Sequence, residues 1–149
     1  MALDVLVLRD PRESQRKCSL TPLRKLPGFR FVDYAPDRRL DAGSRLLLSP
    51  DGDELSLEDR DAPLLLVDCC WRRVPDLLRT IDGDGPARRL PAFATAYPRR
   101  SKSFADPERG LASVEALYAA LALLGDKRPE LLLSYRWREE FLRLNPALA

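Results

Sequence analysis

Histidine is absent from all 149 residues. That absence removes His-based general acid/base work, triads that use His, phosphohistidine transfer and nearly every zinc-hydrolase ligand set. Cysteine is scarce, with Cys18, Cys69 and Cys70 the three copies. The geometry of an adjacent pair disfavours a mutual bridge, so no disulfide framework is expected and a reducing compartment is. No window approaches the roughly 20 uncharged apolar residues that a membrane helix needs. Met1-Ala2-Leu3-Asp4 opens without the basic flank and apolar core of a signal peptide. A cytoplasmic protein with no membrane partner is the expectation. With 45% of residues apolar and 32% charged, the chain suits one compact unit or two small subdomains that share a core.

The formal charge of +2 conceals a pattern. Residues 1–50 carry ten basic and six acidic side chains, 51–70 one and seven, and 71–149 fourteen and ten. Two segments stand out: Arg9 to Arg30 holds seven basic residues against Asp10 and Glu13, and Arg88 to Lys102 holds five with no acid. Each is locally as basic as a nucleic-acid contact needs. The alternative is a solvated surface rich in Arg, because 21 of the 25 basic residues are Arg, as GC-rich coding would produce.

Strands are expected at Leu3 to Leu8, Phe29 to Tyr34 and Arg45 to Leu48, with Ser49-Pro50-Asp51-Gly52 as a turn. Ala62 to Val67 is a continuous apolar run that stops at Asp68, the pattern of a strand buried on both faces in a parallel sheet. The pattern predicts a helix over Trp71 to Ile81, a strand over Ala92 to Tyr97 and a long polar loop from Pro98 to Gly110. Ser113 to Leu124 is the best helix, with Ser113 as N-cap, Gly125 as its stop and Glu115 its one ionised residue; a final helix spans Pro129 to Leu144, with Leu133, Trp137, Phe141 and Leu144 on one stripe. The order of elements gives an α/β fold with a more β-rich first half.

Asp68 is the leading candidate for chemistry. It stands at the carboxyl end of an apolar strand, where open α/β sheets place ligand-contacting groups, and it could equally cap the helix that follows. Ser113 opens a buried helix, whose start attracts a ligand carboxylate or phosphate and also serves for ordinary capping. Glu115 needs a buried partner, a ligand ammonium or water. Cys69 and Cys70 read as small hydrophobes more readily than as nucleophiles or metal ligands.

Arg16-Lys17-Cys18-Ser19, Leu48-Ser49-Pro50-Asp51-Gly52 running to Asp59-Arg60, Val67-Asp68-Cys69-Cys70-Trp71, and Leu111-Ala112-Ser113-Val114-Glu115-Ala116-Leu117 follow one another in the chain. Taken together they resemble the motifs of the small-subunit ribosomal RNA aminocarboxypropyltransferases, and Leu133 to Asn145 is similar to that family's C-terminal helix. The Asp-x-x-Trp and Ser-x-x-Glu-Ala elements are shared with the related DTW-type tRNA uridine aminocarboxypropyltransferases. Tyr97-Pro98-Arg99-Arg100-Ser101-Lys102 looks closer to that second group.

The resemblance implies S-adenosylmethionine as cofactor. It also implies a small β-containing N-terminal half, residues 1–62, followed by a SPOUT-like knotted α/β half, residues 63–149. Carried across, Ser19, Leu90, Ser113 and Ala116 match positions that line the cofactor site, Asp68 and Trp71 match the signature motif, and Glu115 matches the acidic position of the helix. The reaction implied is transfer of the 3-amino-3-carboxypropyl group to a uridine-type base in RNA, ribosomal before transfer RNA, by a monomer and without a metal. Asp68 would be the catalytic group, accepting or directing the base proton, while Arg16, Lys17, Arg99, Arg100 and Lys102 would hold RNA phosphates. The rival functions are a SPOUT-type RNA methyltransferase, a tRNA aminocarboxypropyltransferase and a non-catalytic RNA-binding module of ribosome assembly.

Overall fold

Residues 3–12, 19–97 and 111–149 are described by the structure, a computed structural model. The chain divides into two compact units, Met1–Glu54 with Asp61–Arg89, and Leu55–Arg60 with Leu90–Ala149.

A five-stranded parallel sheet forms the centre of the first unit, in the order β2-β1-β5-β4-β7. Its strands are β1 (Val5–Arg9), β2 (Phe29–Asp33), β4 (Leu46–Glu54), β5 (Leu64–Asp68) and β7 (Ala87–Arg89). Strands from both sides of residue 62 therefore share this sheet. The unbroken apolar runs of β1 and β5 follow from burial on both faces: Leu6, Leu8 and Leu65 join Leu40, Ala42 and Leu77 in one cluster, while Val5, Val7, Leu64 and Leu66 are buried as well. A two-stranded parallel sheet pairs β3 (Leu40–Gly43) with β6 (Ile81–Gly83).

Two expectations change here. Ser49 to Gly52 does not end its strand, because β4 runs on to Glu54 and meets β7 at Leu47–Leu48 and again at Asp53–Glu54, with the register shifted between. Gly52 lies so close to β7 that a Cβ would stand 2.2 Å from the Ala87 carbonyl oxygen, so a residue with a side chain does not fit. The helix expected over Trp71 to Ile81 is a 3-10 turn at Trp71–Arg73 followed by the short α1 (Val74–Leu78). Ile81 leaves the helix to pair with Leu40 in β6 and packs against the core cluster.

The second unit is built round α2 (Ser113–Leu123), with Val114, Leu117, Tyr118, Ala119, Ala120 and Leu121 buried. Apolar residues on every side fit a helix enclosed by its unit. Ala112, with φ −63° and ψ 156°, holds the N-cap position and Ser113 is the first helical residue, which corrects the expected cap. Gly125 ends the helix at φ 85°, with Asp126 N donating to the Leu121 carbonyl at 2.8 Å and Gly125 N to that of Ala122 at 3.1 Å, the Schellman pattern. The final helix is shorter than expected: a 3-10 turn at Pro129–Leu132 precedes α3 (Arg138–Leu144). Its apolar stripe is interrupted, since Phe141 is fully buried while Leu133 is 66% exposed. The break brings Tyr135 inward, where its hydroxyl donates to Glu115.

Ala92 to Tyr97 forms no strand. Two side chains do what a neighbouring strand would do. Asn145 accepts from Ala94 N and donates to the Ala94 carbonyl, both at 2.8 Å, and Glu115 accepts from Ala96 N at 2.9 Å. These backbone groups of Ala94 and Ala96 are satisfied without a ladder.

Candidate functional site

Asp68 is the last residue of β5 and is 8% exposed. The parallel register sets it beside Arg9, the last residue of β1. Arg9 Nε donates to Asp68 Oδ2 at 3.3 Å, and Arg9 Nη2 donates to Thr21 Oγ1 at 3.0 Å. The same guanidinium lies 5.1 Å from the centroid of the Phe31 ring. Asp10, the next residue of the chain, is also buried; its Oδ1 accepts from Arg12 N at 3.0 Å and its Oδ2 from Arg73 Nε at 3.1 Å. Arg73 lies in turn over the Tyr34 ring at 5.5 Å. Burial works against the charge on Arg73, but the hydrogen bond and charge of Asp10, with Asp76 and Tyr34 adding to them, hold the group above its ordinary pKa.

The carboxyl edge of the sheet thus carries two ion pairs, Arg9–Asp68 and Arg73–Asp10, with both acids and Arg9 almost fully buried. Sequence reasoning singled out Asp68 and missed Arg9 and Asp10. The signal was present: the apolar run of β1 ends abruptly in Arg9-Asp10 as that of β5 ends in Asp68, and two adjacent parallel strands bring such ends together.

Glu115, in the first turn of α2, is fully buried. Its Oε1 accepts from Thr95 Oγ1 at 2.6 Å and Ala112 N at 2.8 Å, and its Oε2 from Ala96 N at 2.9 Å and the Tyr135 hydroxyl at 2.9 Å. A carboxylate offers about four acceptor positions. Four donors of the chain's own meet Glu115, and of the partners expected for it, the structure supplies the buried protein ones. Thr95 Oγ1 also accepts from Tyr97 N at 3.0 Å, so the segment that precedes Arg99, Arg100 and Lys102 in the chain is fixed as far as Tyr97. Tyr97 packs edge-on against Trp137 at 5.2 Å, and Tyr135 does so at 5.8 Å. Asn145, which anchors Ala94, was also missed; at the end of a helical stripe it reads as an ordinary cap.

Of the other site residues expected from sequence, Ser19 and Trp71 are half-buried and belong with Asp68 to the first unit. Leu90, Ser113 and Ala116 are half-buried and belong with Glu115 to the second. Arg16, Lys17, Arg99, Arg100 and Lys102 lie outside the described residues, as does Cys18. Cys69 and Cys70 are half-buried and neither is in a disulfide. Among the described residues, no cluster of three His, Cys, Asp or Glu could hold a metal ion, and no helix is long and apolar enough to cross a membrane.

The fold is mixed α/β with a parallel sheet, a class in which ligands commonly sit at the carboxyl ends of the strands, and here that edge carries buried charged residues. Residues 41–149 match the family model described as "Ribosome biogenesis protein, C-terminal", and the chain belongs to that family. No curated protein matches it. Among solved structures it is similar to the SAM-dependent rRNA:acp-transferase Tsr3 from Vulcanisaeta distributa, with 28% sequence identity and a TM-score of 0.76 over 98% of this chain and 80% of that one.

Proposed function

We propose that this protein transfers the 3-amino-3-carboxypropyl group of S-adenosylmethionine to a uridine-type base in RNA, ribosomal RNA in preference to tRNA. The observation that carries this reading is the likeness to a SAM-dependent rRNA:acp-transferase along almost the whole chain. Membership of the ribosome biogenesis family supports it. The knotted SPOUT-like arrangement of the C-terminal half, and a monomer as the working form, belong to the same reading.

The residues present suit such a cofactor. Trp71 offers a half-buried ring at the start of the turn after β5, and α2 presents the start of an 11-residue helix, whose positive end suits a carboxylate. Ser19, Leu90, Ser113 and Ala116 would line the site with Asp68 and Trp71. Glu115 would serve it by fixing the start of α2 and residues 95–97, because its oxygens are engaged by Thr95, Ala96, Ala112 and Tyr135.

Bound S-adenosylmethionine supplies an electrophilic γ-carbon and a neutral thioether as leaving group, so the displacement needs no metal. Asp68 would direct the ring-nitrogen proton of an unpaired or extruded base. Arg16, Lys17, Arg99, Arg100 and Lys102 would hold the RNA backbone without reading its sequence.

Calorimetry should give one S-adenosylmethionine site per chain without added metal, and turnover with RNA should release methylthioadenosine. Release of S-adenosylhomocysteine would identify a methyltransferase instead. A folded sample that fails to bind the cofactor at millimolar concentration would exclude the enzyme. Mass spectrometry of RNA from a deletion strain should show the loss of one aminocarboxypropyl nucleoside, and the RNA fraction that loses it identifies the substrate.

A further inference from the structure

Arg9 is 1% exposed, at the end of a strand whose other residues are Val5, Leu6, Val7 and Leu8. An arginine is costly to bury unless its charge is matched and its donors are engaged. Here the matching charge is Asp68, and Thr21 and the Phe31 ring hold the guanidinium from two further directions. An apolar residue at this position would continue the strand and pack on Phe31, but it would leave the Asp68 carboxylate buried without its matching charge. The charge on Arg9 is thus tied to Asp68, the one acid that the guanidinium meets among the described contacts.

We propose that Arg9 is the positioning residue for Asp68: its guanidinium fixes the carboxylate at the end of β5 and matches its charge. This rests on the transfer reading above. In that reaction the bond from the ring nitrogen to the γ-carbon forms as the carbon–sulfur bond breaks. The electron pair leaves with the sulfur of methylthioadenosine, and the ring-nitrogen proton passes to Asp68 and on to water. Positive charge on sulfur is lost in the process, so a lone carboxylate nearby would stabilise the ground state more than the transition state and slow the step. Paired with Arg9, Asp68 directs the proton without holding the sulfonium back. In this reading Arg9 acts through Asp68.

The test uses the full chain, S-adenosylmethionine and small-subunit RNA from the deletion strain, with cofactor affinity and methylthioadenosine release measured separately. Arg9→Met should lower turnover by about tenfold or more while cofactor affinity stays within about twofold, since misplacing a reacting group costs rate before binding. Arg9→Lys, which keeps the charge and loses the fork, should recover part of that loss. In an Asp68→Asn background, adding Arg9→Met should cost less than about twofold more, the sign of two residues that act as one unit.

Thr21→Val removes an acceptor that aims the guanidinium and leaves both charges in place. It decides the matter if Arg9→Met does not fold. It should slow transfer by about threefold in the parent and leave the Asp68→Asn variant unchanged. Parental turnover in Arg9→Met, equal losses in both backgrounds, or a matching loss of cofactor affinity would overturn the proposal. So would a Thr21→Val variant with parental turnover. A parent chain that releases no methylthioadenosine overturns the functional reading, and this inference with it; an active parent indifferent to Arg9 overturns this inference alone.

Discussion

Glu115 shows how much of one unit hangs on one side chain. It joins the start of α2 to residues 95 and 96 and to Tyr135, and none of its surface reaches solvent. Removing it strands two backbone N–H groups and two hydroxyls. Glu115→Ala is expected to lower stability by about 3–4 kcal/mol, the cost of several buried donors left without an acceptor. Glu115→Gln is milder for a geometric reason. Each oxygen faces one hydroxyl and one backbone N–H, and a hydroxyl can turn to accept from the new amide whereas an N–H cannot. One buried N–H is lost, for about 1–2 kcal/mol. Urea unfolding measures both, through a lower midpoint at unchanged slope. Equal losses for the two variants would contradict this account. The sequence marks Glu115 as needing a partner because it is the one charge on an apolar helix. It does not identify Thr95, Ala96 and Tyr135 as the partners, since their segments read as a strand and a continuous helix, and the structure forms neither at these residues.

Elements were legible where a repeating pattern and a stop signal coincide. The runs of β1 and β5 and the periodicity of α2 with Gly125 meet that condition, and the structure contains all three close to their expected limits. β3, β6 and β7 do not meet it: Ala87-Arg88-Arg89 has no apolar side at all and pairs through its backbone with β4. Ala92 to Tyr97 fails in the other direction, because strand-like composition is answered by Asn145 and Glu115 rather than by a strand. Two substitutions probe the ends of α2. Ala112 has cap geometry but no side-chain acceptor, and Glu115 supplies the return half of a capping box by accepting from Ala112 N. Ala112→Ser should complete the box and stabilise the chain by about 0.5–1 kcal/mol, read as a higher melting temperature. At Gly125 the nearest atom to an added Cβ is Leu57 Cδ2 at 3.9 Å, so space is available and the positive φ is the whole obstacle. Gly125→Ala should therefore cost about 1 kcal/mol and no more than about 2. A larger loss would show a steric conflict that the structure does not contain.

For the molecule as a whole, the near-zero net charge says little about an RNA partner, whereas the distribution of charge says more. Five basic residues between Arg88 and Lys102 have no acid among them, and Asp51 to Asp68 holds seven acids against Arg60, so the chain is strongly uneven in sign. An RNA would favour the basic stretches through counterion release, which makes affinity salt-dependent in proportion to the phosphates neutralised. Arg99, Arg100 and Lys102 are the densest basic cluster of the acid-free stretch. Replacing the three together by Ala should weaken binding of any single-stranded RNA and flatten the plot of log affinity against log salt by about 0.7 for each phosphate no longer neutralised, or about two for all three. Affinity for S-adenosylmethionine should stay at the parental value, because phosphate contacts position the RNA without entering the cofactor site. Filter binding or fluorescence anisotropy across a salt series, with the cofactor titrated in parallel, measures both. A triple variant with parental affinity and slope would mean that these residues are solvated surface of the kind an Arg-rich composition supplies by itself, and the RNA contacts would then have to come from the Arg9 to Arg30 stretch. A loss confined to one RNA sequence, with the salt slope unchanged, would instead assign these three residues to base reading.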